Sequence, residues 1–363
     1  MIRLVPVVEM TDNEALAVAV RAGDESAFAA MIEPHRRELR VHCYRLLGGL
    51  AESEDLVQET FLRAWRGRTG FEGRSTLRAW LYRIATNACL DELARRPRRV
   101  LPSDVAPAAD ADSGPPRPLP LPWLEPYPDT LLPVAAAGEE EPDTALVAKE
   151  TVELAFLAAI QHLPPRQRAV LILRDVLGWP AAETAASLEL SVAAVKSALQ
   201  RARSTLRTRL PRSRLDWGPV TTATADERAL LRRYIDAHRR GDSDALAAVL
   251  SEDVRVSFPP LPLWVDGREP FVEGCRKFAD PGEYRYVETG ANRQPAVAVY
   301  LRRLGDTAFR LFALEVLRIE NGAITEIVDF TDDAVLALLG LAPALSGTDS
   351  GDSFLPVAPS QRT

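Results

Sequence analysis

The sequence predicts a multidomain protein in which two all-α blocks precede an α+β domain. Apolar residues recur at helical spacing up to residue 99 and again between residues 150 and 210. A proline-rich acidic segment separates these two blocks. Beyond about residue 225 the pattern changes to alternating strands mixed with helices. A length of 363 residues suits two or three such domains.

Composition excludes several classes of protein. No apolar run approaches the roughly 18 residues that span a bilayer, and the N-terminus lacks an apolar stretch followed by a cleavage site. We therefore expect a cytoplasmic protein without a membrane contact. Cys43, Cys89 and Cys275 lie far apart without CxxC spacing, which disfavours a disulfide framework and a zinc site. There is no Walker A loop and no GxGxxG, and we expect no cofactor and no metal.

Charge alternates in sign along the chain, although the formal net charge is −7. Residues 21–99 carry 15 basic and 11 acidic residues, and residues 160–214 carry 10 and 3. Residues 100–150 carry 2 basic and 10 acidic residues, and residues 215–363 carry 16 and 23. Two basic blocks therefore alternate with two acidic segments. This asymmetry is typical of a pair of DNA-binding modules with acidic appendages.

The first block, residues 20–99, is predicted to be a helical bundle. AFAAMIEPHRRELRVHCYRLLG, EDLVQETFLRAWRG and LRAWLYRIATNACLDELARR each place apolar residues at i, i+3, i+4 and i+7. Glycines separate the three segments. Around the third segment aromatic residues alternate with arginines, which suits a single nucleic-acid strand because rings stack on bases and guanidinium groups hold phosphates. Trp80 fits a core position and a DNA-facing position equally well.

Residues 100–148 form the predicted linker between the helical blocks. Eleven prolines, acidic residues and weak periodicity predict an extended or disordered segment. The aromatic and apolar side chains of Trp123, Leu124 and Tyr127 are unusual for a spacer. We call these three residues the linker island and expect them to contact the folded domains.

The second block, residues 149–212, is predicted to contain a helix-turn-helix. PAAETAASLEL and VAAVKSALQRARSTLRTRL meet at a tight break, and the small residues Ala185 and Ala186 permit a close helix crossing. Seven basic residues and no acidic one lie between residues 196 and 214. This favours a recognition helix in a major groove over a solvated basic face. The polar face of that helix consists of Lys196, Ser197, Gln200, Arg201, Arg203 and Arg207.

The third part, residues 225–341, is predicted to be an α+β domain. ADERALLRRYIDAHRRG and DSDALAAVLSED are predicted helices, as are GREPFVEGCRKF and DDAVLALLG. VRVSF, YRYVETG, AVAVYLRRL, FRLFALEVLRIENG and ITEIVDF are predicted strands, with a hairpin turn at Asn321 and Gly322. Residues 342–363 are predicted to be a disordered tail.

The order of helices and strands in this part resembles SnoaL-like domains, whose relatives use a buried Asp or His as general base. This resemblance implies four candidate general bases, namely His238, Asp253, Asp266 and Asp329. No spacing between them fixes a role. Asp253 is expected at the start of a strand, and His238 on the polar side of a helix. We therefore predict no catalytic residue and expect a sensing or contact role for the domain.

The motifs EDLVQETFLRAW (residues 54–65) and FEGRSTLRAWLYRIATN (residues 71–87) resemble region 2 of extracytoplasmic-function (ECF) sigma factors of the sigma-70 family. Residues 162–209 resemble their region 4, the helix-turn-helix region. The α+β part resembles SnoaL-like domains of the ketosteroid-isomerase type, in which helices wrap a cone-shaped sheet. Residues 123–129, WLEPYPD, resemble a linker motif of those sigma factors that carry such a C-terminal domain.

This resemblance implies an alternative sigma factor that binds core RNA polymerase through the β′ clamp helices and the β flap. It further implies recognition of −10 and −35 promoter DNA, with activity modulated by the C-terminal domain, which also has room for a small-molecule ligand. The implied polymerase-binding residues are Asp55, Leu56, Gln58, Glu59 and Phe61. The implied −10 residues are Phe71, Arg74, Ser75, Arg78, Trp80, Arg83 and Asn87. The polar face of the recognition helix falls where −35 DNA is contacted.

Two other functions are compatible with parts of the sequence. A stand-alone helix-turn-helix repressor would need dimerised modules to read two half-sites, and it would not need the acidic and aromatic EDLVQETFLRAW surface. A helix-turn-helix regulator fused to a small-molecule-binding or isomerase-like enzyme would need a base and an oxyanion partner, which the sequence does not single out. The sigma factor is the favoured hypothesis, and we expect no enzyme activity.

Overall fold

The computed structural model describes residues 20, 22–70, 76–109, 116–133, 152–209, 225–278 and 280–346. The first block contains four α-helices where three were expected. Its first predicted helix is broken at a 3-10 turn, Glu33–His35, because Pro34 lacks the N–H that an uninterrupted helix requires. The side chains of Asp24 and Thr76 cap two of the helices. The helices are α1 Glu25–Ile32, α2 Arg36–Leu47, α3 Leu50–Arg66 and α4 Leu77–Leu93.

The second block has the predicted helix-turn-helix. Glu189 adopts a left-handed conformation between the two helices, and the hydroxyl of Ser191 accepts a hydrogen bond from Ala194 N at 3.1 Å, which caps the recognition helix. The helix before this motif ends in a π-helical turn, Ile172–Val176. The helices are α5 Leu154–Gln161, α6 Pro165–Leu171, α7 Ala181–Ser187 and the recognition helix α8 Val192–Arg209.

The linker is ordered and packed wherever the structure describes it, so the expectation of an extended or disordered spacer is wrong for residues 100–109 and 116–133. It contains two 3-10 turns, Pro102–Asp104 and Asp129–Leu131, and the linker island is buried. Its apolar side chains lie in the same hydrophobic core as the helices, which offsets the entropy of ordering the chain. Residues 110–115 and 134–148, and the predicted tail beyond residue 346, lie outside the described residues.

The C-terminal part is a mixed sheet with three helices on one face and a short fourth helix, Asp333–Leu336, whose Leu336 packs on the other. The sheet order is β2-β1-β6-β5-β4-β3, with β7 paired to β5, and β1 runs parallel to β6. The predicted helix over residues 242–253 is too long, because its last residues, starting at Leu250, belong to a strand. The short strands β2 and β7 were not predicted. The helices are α9 Ala225–Arg240, α10 Ser243–Ala247, α11 Arg268–Phe278 and α12 Asp333–Leu336. The strands are β1 Leu250–Ser257, β2 Trp264–Asp266, β3 Glu283–Ala291, β4 Gln294–Arg302, β5 Phe309–Glu320, β6 Ala323–Phe330 and β7 Ala344–Leu345.

The two faces of this sheet belong to different hydrophobic cores. The inner face packs on α9 and α11, with Leu317 and Ile327 among its buried residues. The outer face, with Leu314, Val316 and Phe330, lies in one continuous core with the linker and both helical blocks. The C-terminal domain is therefore bound to the helical part by apolar burial as well as by the chain itself.

A buried arginine joins the two helical blocks. The Arg168 side chain is 1% exposed and donates hydrogen bonds to Gln161 Oε1 at 2.7 Å, to Gln161 O at 2.9 Å and to Leu163 O at 3.3 Å. It also donates to the carbonyl of Leu46 in the last turn of α2. Burial lowers the pKa of Arg168 to about 10. A side chain of the second block thus binds a helix terminus of the first.

We predict that Arg168→Met destabilises the whole chain. The substitution keeps an apolar stem but leaves buried carbonyl groups without donors, which costs about 1–3 kcal/mol per group. Thermal unfolding followed by circular dichroism should show a clearly lower midpoint. The control is Arg166→Met, because Arg166 is an exposed arginine two residues earlier on the same helix. Equal midpoints for the two variants would contradict the prediction.

Candidate nucleic-acid interface

Four of the five predicted polymerase-binding residues are exposed or half-buried on α3. Asp55 and Gln58 are exposed, and Leu56 and Glu59 are half-buried. Phe61 does not belong to this surface, because it is only 8% exposed and packs in the helical core. The exposed apolar side chain of this face is its neighbour Leu62, 51% exposed, which sequence reasoning did not select as a contact.

The predicted −10 residues are divided between the surface and the core. Arg83 is exposed and Asn87 half-buried on α4. Arg78 is exposed, and its Nε donates to Glu38 Oε2 at 2.7 Å. Trp80 is 7% exposed and packs in the core, which decides between its two interpretations. The remaining three predicted residues, Phe71, Arg74 and Ser75, lie outside the described residues.

The polar face of α8 is exposed along its whole length. Its apolar residues, including Val195 and Leu199, are buried against the other helices of the block. Arg203 makes a bidentate ion pair with Asp175, at 2.7 and 2.8 Å, so its guanidinium is positioned before any ligand binds. The other predicted −35 residues, all exposed, are Lys196, Ser197, Gln200, Arg201 and Arg207.

The two helical blocks touch each other next to the predicted −10 helix. The ring of Tyr82 on α4 lies 6.2 Å from the ring of Trp179, which precedes α7. At the end of the first block Arg98 contacts His162, whose Nε2 lies 3.1 Å from Asp104 Oδ1 in the linker. Burial lowers the pKa of His162. The helical blocks and the linker therefore form one packed assembly.

The hairpin turn between β3 and β4 inserts into that assembly. Asn292 and Arg293 both have positive φ, as a two-residue turn of this kind requires. The fully buried Asn292 side chain accepts from Tyr127 N at 2.8 Å and donates to Tyr44 Oη at 2.9 Å and to Val152 O at 2.7 Å. We call this contact the three-way junction, since it joins the first block, the linker and the start of the second block to the C-terminal domain.

Neighbouring residues extend the three-way junction. Asn292 N donates to Tyr127 O at 2.8 Å, and Arg293 N donates to Asp129 Oδ1 at 2.8 Å. Leu154 N, at the start of α5, donates to Gln294 Oε1 at 2.9 Å. The C-terminal domain thus binds backbone groups on both sides of the linker.

A second polar cluster fixes the linker on the first block. Glu125 accepts from Leu50 N, at the start of α3, at 2.7 Å and from Arg99 Nη1 at 2.7 Å. Burial raises the pKa of Glu125, although Arg99 opposes this. Arg99 also pairs with Glu52 at 2.6 Å. Gly49 makes room for this arginine, since a Cβ there would lie 2.1 Å from its Nη2 atom.

The linker also contacts the edge of the C-terminal sheet. Trp264 Nε1 on β2 donates to Ala106 O at 2.8 Å, and Ala109 N donates to Trp264 O at 2.8 Å. Between the linker and the C-terminal domain lies a cleft of about 200 Å³. Its lining includes Leu121, Trp123, Pro260 and Val335.

Two acids face each other inside the C-terminal domain. Glu315 on β5 and Asp329 on β6 are direct partners across the strands, and burial raises their pKa values to about 8 and about 7. His238 does not lie on a polar helix face as expected. The centroid of its ring lies 4.5 Å from that of the Tyr234 ring, and burial lowers the pKa of His238 to about 4. The other two candidate bases, Asp253 and Asp266, are exposed, and the described residues contain no cluster suited to a metal ion.

Sequence reasoning missed several residues that make these contacts. Tyr44, Glu125 and Asn292 were not selected as contacts. Glu125 lies within the WLEPYPD motif, and Asn292 belongs to a GANR segment typical of a tight turn, whereas Tyr44 carried no local signal. Glu315 could have been found, because it occupies an inward position between the apolar Ala313 and Leu317 of the same strand.

Three family comparisons agree with this architecture. Sigma-70 region 2 matches residues 31–99, sigma-70 region 4 matches residues 153–206, and the SnoaL-like domain matches residues 231–327. The ECF RNA polymerase sigma factor SigG of Mycobacterium tuberculosis is 41% identical over 349 residues, covering 94% of this chain and 91% of the relative. The chain belongs to the ECF RNA polymerase sigma factors. Its identification from sequence motifs is confirmed.

Two further relatives define the extent of the similarity. SigW of Bacillus subtilis is 29% identical over 53% of this chain and 92% of its own length. The crystal structure of the sigma factor SigJ of Mycobacterium tuberculosis aligns with a TM-score of 0.55 at 20% identity, over 85% of this chain and 98% of that one. The fold prediction, two helical sigma domains followed by an α+β SnoaL-like domain, is confirmed. No described helix is long and apolar enough to span a bilayer.

We predict that Asp55→Arg weakens binding of this sigma factor to core RNA polymerase by about tenfold, which is about 1.4 kcal/mol. Asp55 is exposed, so reversing its charge alters the surface of α3 and leaves the helical core intact. Holoenzyme assembly measured by fluorescence anisotropy checks this. The control is Asp226→Arg, a reversal at another exposed acid, on α9. Equal affinities for the two variants would exclude this face of α3 as the polymerase contact.

Proposed function

We propose that this sigma factor alternates between a closed form, which the structure represents, and an open form bound to polymerase and promoter. The C-terminal domain stabilises the closed form and so modulates initiation. The observation that carries this proposal is the three-way junction, where one asparagine of the C-terminal domain binds both helical blocks and the linker. Transcription in vitro with core polymerase, with and without residues 216–363, tests it.

The exposed surfaces of the helical blocks support four separate contacts. The exposed face of α3 suits a protein partner, because Asp55 and Gln58 flank the exposed apolar Leu62. We assign it to the β′ clamp helices, and the second block to the β flap. Arg78, Arg83 and Asn87 on α4 are assigned to −10 DNA, and the polar face of α8 to −35 DNA. These partners place the protein in the cytoplasm.

In the closed form the two helical blocks lie too close together to bind both promoter elements at once. Elements centred at −10 and −35 are about 25 base pairs apart, roughly 80 Å of duplex at 3.4 Å per base pair. Two small domains in contact have centres only about 30 Å apart. The contact between Tyr82 and Trp179 places the two blocks at that shorter distance. They must separate by tens of ångströms before both elements can be bound.

The linker is long enough for this separation. Between Arg99 and Val152 it has 52 residues, and an extended chain spans up to about 3.3–3.6 Å per residue. Opening therefore requires breaking contacts and no change in chain length. The contacts that must break are those of Arg168, the linker island and Asn292. A differential affinity of about 1–3 kcal/mol between the two forms is sufficient for regulation.

The C-terminal domain acts in this scheme by contact. Its contacts to the rest of the chain come from the β3–β4 turn, from β2 and from the outer face of the sheet. None of these contacts uses the acids of the inner face. Regulation through the closed form therefore needs no chemical step in the domain.

We predict that Arg201→Ala weakens binding to a duplex carrying a −35 element. Arg201 is exposed on α8, and loss of a base contact costs about 1–3 kcal/mol at one position, whereas loss of a phosphate contact lowers the salt slope by about one. Fluorescence anisotropy of the holoenzyme across a salt series distinguishes the two. The control is Arg228→Ala, at an exposed position of α9. Normal binding by the Arg201 variant at every salt concentration would remove Arg201 from the −35 contact.

We predict that Asn292→Gly opens the protein and raises transcription. Glycine keeps the positive φ of the turn but removes three hydrogen bonds of the three-way junction, each worth about 0.5–1.5 kcal/mol. The radius of gyration from small-angle scattering should increase, and output from a cognate promoter should rise. Asn321→Gly is the matched control, because Asn321 occupies an equivalent turn with positive φ between β5 and β6. A compact Asn292→Gly protein with unchanged output would refute the closed form as the regulated state.

A further inference from the structure

The two inner acids of the C-terminal domain have almost no polar partners. Glu315 and Asp329 lie directly opposite each other on neighbouring strands and point to the same face of the sheet. Tyr234 Oη donates to Glu315 Oε2 at 3.0 Å. Oδ1 of Asp329 is buried without a hydrogen-bond partner in the described part of the chain. Two acids at this separation cannot both ionise without a neutralising group.

A third polar group, packed against the Tyr234 ring that contacts Glu315, also lacks a partner. Nε2 of His238 is buried and has no hydrogen-bond partner among the described residues. The His238 ring lies 4.5 Å from the ring of Tyr234 and 5.5 Å from that of Tyr286. A buried imidazole with an unused nitrogen is costly unless something binds there.

Aromatic rings surround the acids. The ring of Tyr284 lies 6.2 Å from that of Tyr286 and 6.3 Å from that of Phe312. Tyr284, Phe312 and both acids retain part of their surface to solvent, so this side of the sheet is not sealed. No basic side chain in the described ranges makes an ion pair with either acid. Carboxylates among aromatic faces form a chemically suitable environment for an organic cation.

We propose that the inner face of the C-terminal sheet binds a small organic cation, a protonated amine, between Glu315 and Asp329. The ammonium N–H groups donate to the two carboxylates, and the aromatic rings of Tyr284, Tyr286 and Phe312 cover its apolar part. Without the cation the two acids retain protons near neutral pH, because burial raises the pKa of each. Binding therefore favours ionisation of the pair, and the single positive charge of the amine compensates the release of one proton.

The site and the interface with the helical blocks lie on opposite faces of the same two strands, β5 and β6. Leu314 and Val316, the neighbours of Glu315, are in the core that contains the linker and both helical blocks, and so are Val328 and Phe330, the neighbours of Asp329. A cation that separates or draws together β5 and β6 alters the outer surface of the same strands. This link to transcription depends on the proposed function, whereas the binding site itself does not.

Isothermal titration calorimetry of the full-length protein tests the site with three probes of the same shape. Benzylammonium is cationic, benzyl alcohol is neutral and benzoate is anionic. We expect benzylammonium to bind at least about tenfold more tightly than the alcohol, and no heat from benzoate. At pH 7 the measured enthalpy should differ between phosphate and MOPS buffers, neither of which is a primary ammonium, because a proton is released. Preference for the alcohol, or an enthalpy independent of buffer, would overturn the proposal.

Variants separate binding from folding. Glu315→Gln and Asp329→Asn should each weaken benzylammonium binding at least about tenfold, with unfolding midpoints no lower than that of the unsubstituted protein, because a buried ionisable group is removed. Glu283→Gln is the control, since Glu283 is an exposed acid on β3 whose side chain pairs with Arg302. Unchanged binding in both inner variants would exclude the acids. Binding that is lost in them but has no effect on transcription would leave the site standing and exclude only its link to the closed form.

Discussion

The closed arrangement depends on the burial of one side-chain amide. Asn292 is inaccessible to solvent, so its oxygen and both its N–H groups must find partners inside the protein. The partners come from three different segments, Tyr44, Tyr127 and Val152. If any one segment moves away, a buried polar group loses its hydrogen bond. Apolar packing alone would allow the domains to slide, whereas this amide accepts one placement only.

The contacts that hold the domains together thus involve different residues from the exposed surfaces proposed to bind polymerase and DNA. The closing contacts lie on one continuous core and its polar edge, and they involve Arg168, Glu125 and the linker island. The exposed faces of α3 and α8 take no part in that core. A sigma factor built this way keeps the surfaces proposed for polymerase and DNA exposed. The distance between its two DNA-binding blocks, however, is shorter than the distance between the promoter elements. Under the proposed function, regulation acts on the distance between these surfaces and leaves their chemistry unchanged.

The local sequence pattern predicted most helices and strands. Contacts between residues distant in the sequence determined which side chains are buried and how the domains are placed. Helical periodicity and cap residues identified the helices, including the helix-turn-helix, and alternation identified the long strands. The break at Pro34 and the early end of α10 were missed because an apolar pattern continues across both. Phe61 was misplaced because its helix has apolar residues on two sides, and only packing shows that Leu62 is the exposed one. Asn292 and Tyr44 lie 248 residues apart, so no window of sequence reveals their contact.

The paired glycines between α2 and α3 have a consequence for the wider family. A Cβ at Gly48 would lie 2.8 Å from Leu124 Cδ1, and one at Gly49 would lie 2.1 Å from Arg99 Nη2. Gly49 therefore accepts a larger side chain only where Arg99 and the linker run elsewhere, and Gly48 is additionally required by its positive φ. We therefore expect Gly48, Gly49, Arg99 and Asn292 to vary together among related sigma factors, because they support the same placement of the linker. Such covariation provides a way to recognise, from sequence, which sigma factors carry their linker folded against the first block.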